Sequence, residues 1–339
     1  MSIQRVSLSC LALLALACGR ESKSSPKATE SAAPTAVTAP PSPELKVPAV
    51  SRISPKRLAT LPVSAYRTSI AMDDDAVYLM TSNAAYRLVD GEPLHGIELD
   101  LGVGPVLTPS AFVFWSNGSI WRAPKQGGVA RELAKFPHQP QYFVSFREAV
   151  AWVDQADDGI YTIQTLDRGR PRVLLSSPGE LRGLDMIGEF VYFVQRNADD
   201  SWRIGFVGLD GRPAEYGLTK TGRTPSQLAA SDGIYYFDLD TTRILKLTPD
   251  LRHEEAVLTE LVCSPIQVST RIYCGCVEGL FDVGRSTHQP RVLSYNRPGT
   301  ITSISSNAKK VAWTVDIGAE QLAVDMLPAS DPDGQSPVP

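Results

Sequence analysis

The stretch VFWSNGSIWRAPKQGG, residues 113–128, reads as two short alternating runs joined by Asn117 and Gly118 and followed by a glycine-bearing turn. Alternation of apolar and polar side chains with period two is typical of half-buried β-strands. Glycine and asparagine are the residues that tight hairpin turns prefer. The stretch therefore predicts two adjacent antiparallel strands.

The same arrangement recurs along the chain. A β-branched residue followed by an aromatic residue or alanine begins at residues 77, 113, 150, 191, 234, 272 and 311, with spacings of 36, 37, 41, 43, 38 and 39 residues. Each pair is preceded by one alternating run, and third and fourth runs follow six of the seven pairs. Four short strands repeated about every 40 residues indicate the blades of a β-propeller. The sequence predicts an all-β fold with seven four-stranded antiparallel blades over residues 55–328.

The last module lacks a fourth strand after it, and the N-terminal stretch KRLATLP, residues 56–62, has no hairpin partner beside it. This stretch aligns with RELAKFP, residues 131–137, the fourth run of the second module, so that Leu58 matches Leu133. An open ring would expose two sheet edges, which are prone to aggregation. We therefore expect residues 56–62 to complete the last blade and close the ring.

Repeats of the form I…D…VYW…IYR.P..GG, to which residues 113–128 correspond best, resemble those of bacterial extracytoplasmic β-propeller lipoproteins of the TolB-like and YWTD-like class. The resemblance covers nearly all of residues 55–328 and implies the fold. The repeats depart from the YWTD and WD40 signatures, so no ligand or partner of those families is carried over.

The N-terminus predicts export and a lipid anchor. Residues 1–17 have one cation and a short apolar run, which is the plan of a signal peptide rather than of a membrane-spanning helix. The residues before Cys18 resemble a lipobox, which predicts a palmitate-bearing, lipidated Cys18. The alternative is an ordinary signal peptide cut nearby, which would leave a soluble secreted protein. Gly19 favours the outer membrane of the cell envelope as the location.

The segments that flank the propeller are predicted to be disordered. Residues 18–54 are rich in Ser, Pro and Ala and poor in large apolar side chains, so they cannot bury enough surface to offset their ordering entropy. We expect this segment to act as a tether and residues 329–339 to form a disordered tail. The net charge of −4 argues against nucleic acid as a partner, because phosphate binding needs a basic surface.

A candidate ligand-binding funnel is predicted from the loops that join the second and third strands of each blade and from the loops between blades, which share one face. It comprises His138, Arg182, Arg223, Arg297, Asp154, Asp199, Asp238 and Asp316. The alternative is that these aspartates serve as ordinary turn residues. The DDD run at 73–75 falls on the opposite face and is predicted to be a solvated turn.

No cofactor is predicted, although Ca²⁺ is the alternative because carboxylate oxygens suit hard cations; metal ligands are not identified. The sequence contains no HExxH, GxSxG, P-loop or CxxC motif, so hydrolase, kinase and zinc-site predictions lack support. No catalytic residue is predicted.

Three cysteines follow the predicted signal peptide and anchor. A turn at residues 269–270 would place Cys263 opposite Cys276 in one hairpin, and an exported protein meets oxidising conditions. We expect a Cys263–Cys276 disulfide, with Cys263–Cys274 as the alternative.

The leading functional hypothesis is a lipid-anchored, non-enzymatic binding module whose partner is an envelope protein or glycan. The alternative is a propeller enzyme, a sugar or lactone hydrolase or lyase, with a metal-assisted site in the funnel. A purely structural role is the third hypothesis.

Overall fold

The computed structural model describes residues 55–62, 68–90, 95–98, 102–126, 128–217, 224–258, 264–276, 279–285, 288, 290–295 and 299–328. These residues all belong to one compact unit, Lys46–Pro339. They form 28 β-strands in seven four-stranded antiparallel sheets. The described residues contain no helix that could cross a membrane. The predicted signal peptide, the Cys18 anchor, the tether and the tail lie outside the described residues.

Each sheet is one blade, and its strands follow one another in the chain except in the last blade. Blade 1 contains β2 (Ser69–Met72), β3 (Val77–Met80), β4 (Ala84–Leu88) and β5 (His95–Glu98). Blade 2 contains β6 (Gly102–Leu107), β7 (Ala111–Ser116), β8 (Ser119–Pro124) and β9 (Arg131–Lys135). Blade 3 contains β10 (Tyr142–Phe146), β11 (Ala149–Gln155), β12 (Tyr161–Asp167) and β13 (Arg170–Ser177). Blade 4 contains β14 (Leu181–Ile187), β15 (Phe190–Arg196), β16 (Trp202–Gly208) and β17 (Glu215–Tyr216).

The remaining blades complete the ring. Blade 5 contains β18 (Pro225–Ala230), β19 (Ile234–Asp238), β20 (Arg243–Leu247) and β21 (Glu254–Leu258). Blade 6 contains β22 (Ile266–Val268), β23 (Ile272–Cys276), β24 (Gly279–Val283) and β25 (Pro290–Tyr295). Blade 7 contains β26 (Thr300–Ser306), β27 (Lys310–Gly318), β28 (Gln321–Pro328) and β1 (Lys56–Leu61). The predicted fold is confirmed, with one difference. The fourth strand of blade 4 has only two residues. It lies between Pro213 and Gly217, and Pro213 has no N–H with which to extend the pairing.

The N-terminal strand closes the ring as predicted. Strand β1 pairs antiparallel with β28, and Leu61 lies opposite Leu322. The register shifts between Arg57 and Ala59, so Leu58 is the extra residue of a β-bulge. Leu133 has the same place in blade 2, where the register of β9 shifts between Glu132 and Ala134. The aligned leucines therefore occupy equivalent positions.

Outer strands of three further blades carry the same bulge. The extra residues there are Leu174 in β13, Val257 in β21 and Leu293 in β25. A bulge increases the twist of a strand, and every extra residue in this set is aliphatic. The side chains pack into the apolar layers between blades.

The first strand of each blade faces the centre of the ring, because β2, β6, β10, β14, β18, β22 and β26 contact one another in cyclic order. Polar side chains of these inner strands satisfy backbone groups on the neighbouring inner strand. The contacts are Ile70 N to Ser303 Oγ at 3.2 Å, Ser145 Oγ to Leu107 O at 2.8 Å, Ala230 N to Asp185 Oδ2 at 2.6 Å and Ile266 N to Gln227 Oε1 at 2.9 Å. These bonds link neighbouring blades and offset the cost of unpaired edges.

The hydrophobic core is divided into layers that lie between adjacent blades. One layer combines Leu61 and Val324 of blade 7 with Ile70 and Leu79 of blade 1. Trp115, Trp152, Trp202 and Trp313 pack in these layers and are at most 7% exposed. Removal of one large core side chain from such a layer costs about 2–5 kcal/mol.

Candidate functional site

The two faces of the ring use their polar side chains differently. We define the top face as the loops that join the second and third strands of each blade together with the loops between blades. The bottom face comprises the other turns. On the bottom face, polar contacts link every blade to the next. The contacts are Lys125 Nζ to Asp73 Oδ2 at 2.9 Å, Arg122 Nη2 to Glu148 Oε2 at 3.0 Å, Arg172 to the Leu209 carbonyl, Tyr192 Oη to the Pro249 carbonyl at 3.0 Å, Arg285 to Asp232, Ser269 Oγ to the Asn307 carbonyl at 3.4 Å, and Lys309 to Asp74.

The DDD run, residues 73–75, takes part in two of these contacts and does more than face solvent. Asp73 caps its own turn by accepting bonds from the backbone N–H groups of Asp75 and Ala76, and it also pairs with Lys125 of blade 2. Burial alone would raise the pKa of Asp73, but hydrogen bonds from Lys125 and the backbone outweigh it and lower that pKa. Asp74 pairs with Lys309 of blade 7. The run therefore joins three blades.

A cavity of about 510 Å³ opens on the top face where the inner strands of blades 1, 2 and 3 begin. It is lined by residues 68–69, 102–104 and 139–141. We call it the mouth cavity. Its walls combine the hydroxyl and amide groups of Thr68, Ser69, Gln139 and Gln141 with the small apolar residues Gly102, Val103, Gly104 and Pro140.

The structure brings two of the predicted funnel residues together beside the mouth cavity. His138 Nδ1 lies 3.3 Å from Asp154 Oδ2, and Gln164 Nε2 donates to the same oxygen at 3.2 Å. The Asp154 side chain is buried, whereas the His138 side chain is 41% exposed. The other oxygen of Asp154, Oδ1, is buried without a hydrogen-bond partner in the described part of the chain.

This pair has the arrangement by which a carboxylate orients an imidazole. When Nδ1 carries the proton toward Asp154, Nε2 of His138 keeps its lone pair and can accept a hydrogen bond. Gln164 was not predicted. It faces Asp154 from the adjacent strand β12, and its polar side chain within a buried strand segment was the available signal.

The other three aspartates of the predicted funnel cap their own turns. Asp199 accepts bonds from the hydroxyl and the backbone N–H of Ser201, and these bonds lower its pKa. Asp238 accepts a bond from the Thr241 hydroxyl at 2.6 Å, and Asp316 accepts one from the Gly318 N–H at 2.9 Å. These contacts have the form that the turn-residue alternative anticipated.

Arg182 lies in a different group of residues. Its Nε donates to Glu180 Oε1 at 2.5 Å, and its guanidinium lies 4.6 Å from the centre of the Trp202 ring. Arg223 and Arg297 lie outside the described residues. Among the described residues, no group of three or more His, Cys, Asp and Glu side chains is placed to hold a metal ion.

The disulfide stays a prediction, because Cys263 lies outside the described residues. Cys274 and Cys276 are buried on strand β23. Cys274 lies opposite Ile266, one residue further along than the predicted register. The pairing of the two strands continues beyond Ile266: Ser264 N donates to the Gly275 carbonyl, and Gly275 N donates to the Pro265 carbonyl. Gly275 thus bonds to two successive residues of the facing segment.

Comparison with solved structures supports the architecture. An oligogalacturonate lyase from Vibrio parahaemolyticus superposes with a TM-score of 0.62 at 12% identity, over 80% of this chain and 92% of the lyase. The β-propeller domain of Cps50 (Swd1) from Myceliophteria thermophila gives 0.61 at 8% identity, over 80% and 99%. A puromycin-hydrolyzing peptidase from Mycobacterium tuberculosis gives 0.57 at 15% identity, over 75% of this chain and 51% of the peptidase.

The likeness is one of fold. At these identities the shared architecture selects no activity. The sequence matches no protein-family model, and no curated protein matches it.

Proposed function

We propose that this chain is a lipid-anchored β-propeller of the cell envelope that acts as a non-enzymatic binding module through its top face. The proposal rests on one observation, which is that the two faces use their polar side chains differently. The bottom face uses its charged and hydroxyl groups to link blades, whereas the top face holds the mouth cavity and the exposed His138 edge. Binding sites on β-sheet scaffolds are commonly formed by loops that a rigid framework positions.

The anchor is part of this proposal and rests on the N-terminal sequence. A lipidated Cys18 would hold the tether, and the tether would give the propeller reach toward its partner. Mass spectrometry of the full chain from membranes should show a diacylglycerol- and palmitate-modified Cys18. The Cys18→Ser variant should move to the soluble fraction. An unmodified N-terminus cut elsewhere would contradict the anchor and leave the binding role standing.

The binding role is tested with the full chain as bait in detergent extracts of cell envelopes. We expect specific capture of a protein or glycan. The Gln139→Trp variant, which fills the mouth cavity, should lose at least tenfold of that capture. Arg252→Ala is the matched control, because Arg252 is an exposed side chain in a bottom-face turn. Equal capture by both variants would contradict a top-face site.

The His138–Asp154 pair favours a second candidate, an enzyme of the hydrolase or lyase type that acts on a sugar or lactone. In that reading His138 accepts a proton through Nε2 and Asp154 orients the ring. The test is turnover of oligosaccharides and lactones by the purified chain. Activity that His138→Ala abolishes and Asp154→Asn reduces, with folding unchanged, would replace the binding hypothesis.

A further inference from the structure

A second cavity on the top face lies between blades 3 and 4. Its volume is about 580 Å³, and its walls are residues 161, 178–180, 195–198, 200 and 203. We call it the Glu180 groove. The walls contain carboxylate, amide, guanidinium and phenol groups, and the apolar contributions beyond the Tyr161 ring are limited to small side chains such as Pro178 and Ala198.

Two arginines, Arg196 and Arg203, line this groove, and a third, Arg182, borders it through its ion pair with Glu180. Glu180 receives Arg182 Nε at 2.5 Å and lies 4.0 Å from Arg196 Nη1. Arg196 Nη2 also lies 3.0 Å from Asp200 at the rim. Arg203 donates to Gln195 Oε1 through Nε at 3.0 Å and through Nη2 at 2.8 Å.

Aromatic rings also contact the guanidinium groups of these three arginines. Arg203 lies 3.5 Å from the centre of the Tyr216 ring, and Arg182 and Arg196 lie 4.6 and 5.9 Å from that of Trp202. Such contacts stabilise a cation and limit its rotamers. The groove is therefore preorganised, which lowers the entropic cost of binding a ligand.

The groove retains hydrogen-bond donors that the protein does not use. Nη1 and Nη2 of Arg182 and Nη1 of Arg203 donate to no acceptor in the described part of the chain, beyond the contacts given above. Burial raises the pKa of Tyr161, and the Glu180 charge raises it further, so its hydroxyl remains a neutral donor. A ligand must supply acceptors for these donors.

Guanidinium forks match carboxylates, and amide and carboxylate side chains match hydroxyl groups. The groove lacks a deep apolar pocket of the kind that anchors a peptide side chain. Asp200 at the rim is 78% exposed and disfavours dense polyanions. We propose that the Glu180 groove binds an acidic saccharide, with a uronate carboxylate at Arg182 and Arg203 and a sugar hydroxyl at Glu180.

This inference rests on the proposed binding role of the top face and names the ligand class of one site on it. The probe is a trimer of galacturonate, titrated into the full chain by calorimetry. Its methyl ester keeps every hydroxyl and removes the charges, so it is the matched control ligand. Triglutamate with an acetylated N-terminus and an amidated C-terminus carries three carboxylates without sugar hydroxyls and tests the peptide alternative.

We expect the trimer to bind, its ester to bind at least tenfold more weakly, and triglutamate to bind more weakly than the trimer. Arg182→Gln and Arg203→Gln should each weaken trimer binding at least tenfold, and Arg252→Gln on the bottom face should leave it unchanged. Arg182→Lys keeps the charge without the paired Nη1 and Nη2 donors and should weaken binding several-fold, which preserves the test if a glutamine variant fails to fold.

No binding of the trimer, equal binding of its ester, or unchanged binding by the folded Arg182 and Arg203 variants would overturn the proposal. Tighter binding of triglutamate would also overturn it in favour of an acidic peptide. Envelope capture that is sensitive to Gln139→Trp would survive any of these results, so failure of this inference is distinguishable from failure of the proposed function.

Discussion

Arg57 on the first strand and Asp325 on the last strand form an ion pair across the seam that closes the ring, with Arg57 Nη2 donating to Asp325 Oδ2 at 3.1 Å. The two residues are 268 positions apart in the chain. A second contact at the seam joins Lys309 of blade 7 to Asp74 of blade 1. The seam is thus closed by backbone pairing, by the apolar layer around Leu61 and by charges.

Removal of the closing strand should destabilise the whole ring. Deletion of residues 54–62 exposes the edge of β28 and removes Leu61 and Leu58 from the layer between blades 7 and 1. We expect a loss on the order of 3–6 kcal/mol in the free energy of unfolding, or loss of a cooperative transition. Deletion of residues 19–50 is the control and should leave urea unfolding unchanged. Equal stability of both deletions would contradict closure by β1.

The tyrosine hydroxyls of the repeat should stabilise contacts between blades. Tyr192 Oη donates to the Pro249 carbonyl in the next blade at 3.0 Å. Tyr192→Phe removes that bond and keeps the ring, so we expect a loss of about 1 kcal/mol by chemical denaturation. Tyr86→Phe is the matched control, since the Tyr86 hydroxyl has no hydrogen-bond partner in the described part of the chain. An equal effect of both changes would refute a specific role for the link.

Asp185 should make the stability of the ring depend on pH. Burial raises its pKa to about 6, against the backbone N–H bonds from Ala230 and Met186 that lower it. A raised carboxyl pKa means that the folded state binds the proton more tightly. Stability from this group is fully present below about pH 4 and is lost as pH rises through about 6.

The expected loss for wild type between pH 4 and pH 7.5 is about 1–3 kcal/mol from this group. Asp185→Asn cannot titrate, so the difference in unfolding free energy between wild type and variant should change over that interval. Urea titrations at pH 4, 5.5 and 7.5 measure it. A difference that stays constant with pH would show that Asp185 does not titrate in this window.

Asp232 should change the pH dependence of stability in the direction opposite to Asp185. Burial would raise its pKa, but hydrogen bonds from Arg285, Tyr235 and Lys246 outweigh it and hold the pKa well below its usual value. Its contribution is present above about pH 4 and is lost as pH falls toward the folded-state pKa. The side chain is 44% exposed, so solvent screening limits the effect of Asp232→Asn to about 1 kcal/mol at pH 7.

The loss of stability caused by Asp232→Asn should be smaller at pH 3 than at pH 7, because protonation of the unfolded chain already weakens the wild-type protein at pH 3. Asp157→Asn, an exposed change in a top-face loop, is the control and should be neutral at both pH values. A loss for Asp232→Asn that is larger at pH 3 than at pH 7 would contradict the assigned role.

The fold could be predicted closely because its signals are local. Strand alternation and turn residues repeat with each blade, and the alignment of Leu58 with Leu133 identified β1 as a fourth strand, although it gave no signal for the bulge at these residues. The site was less predictable, because side-chain contacts join residues from different blades. The sequence placed His138 and Asp154 on one face, but it contained no signal for the ion pair between Glu180 and Arg182 or for the link between Asp74 and Lys309.

The position of β1 also determines when the ring can form. During translation Leu61 is synthesised early. Leu322, which lies opposite Leu61 in the sheet, is added only after almost the whole domain has been synthesised. Contacts of such long sequence separation form late and slowly. Until then the first strand is an unpaired hydrophobic segment next to an incomplete row of blades. Any product that stops short of Leu322 keeps that segment exposed, so truncated chains should be preferred substrates of proteases and chaperones.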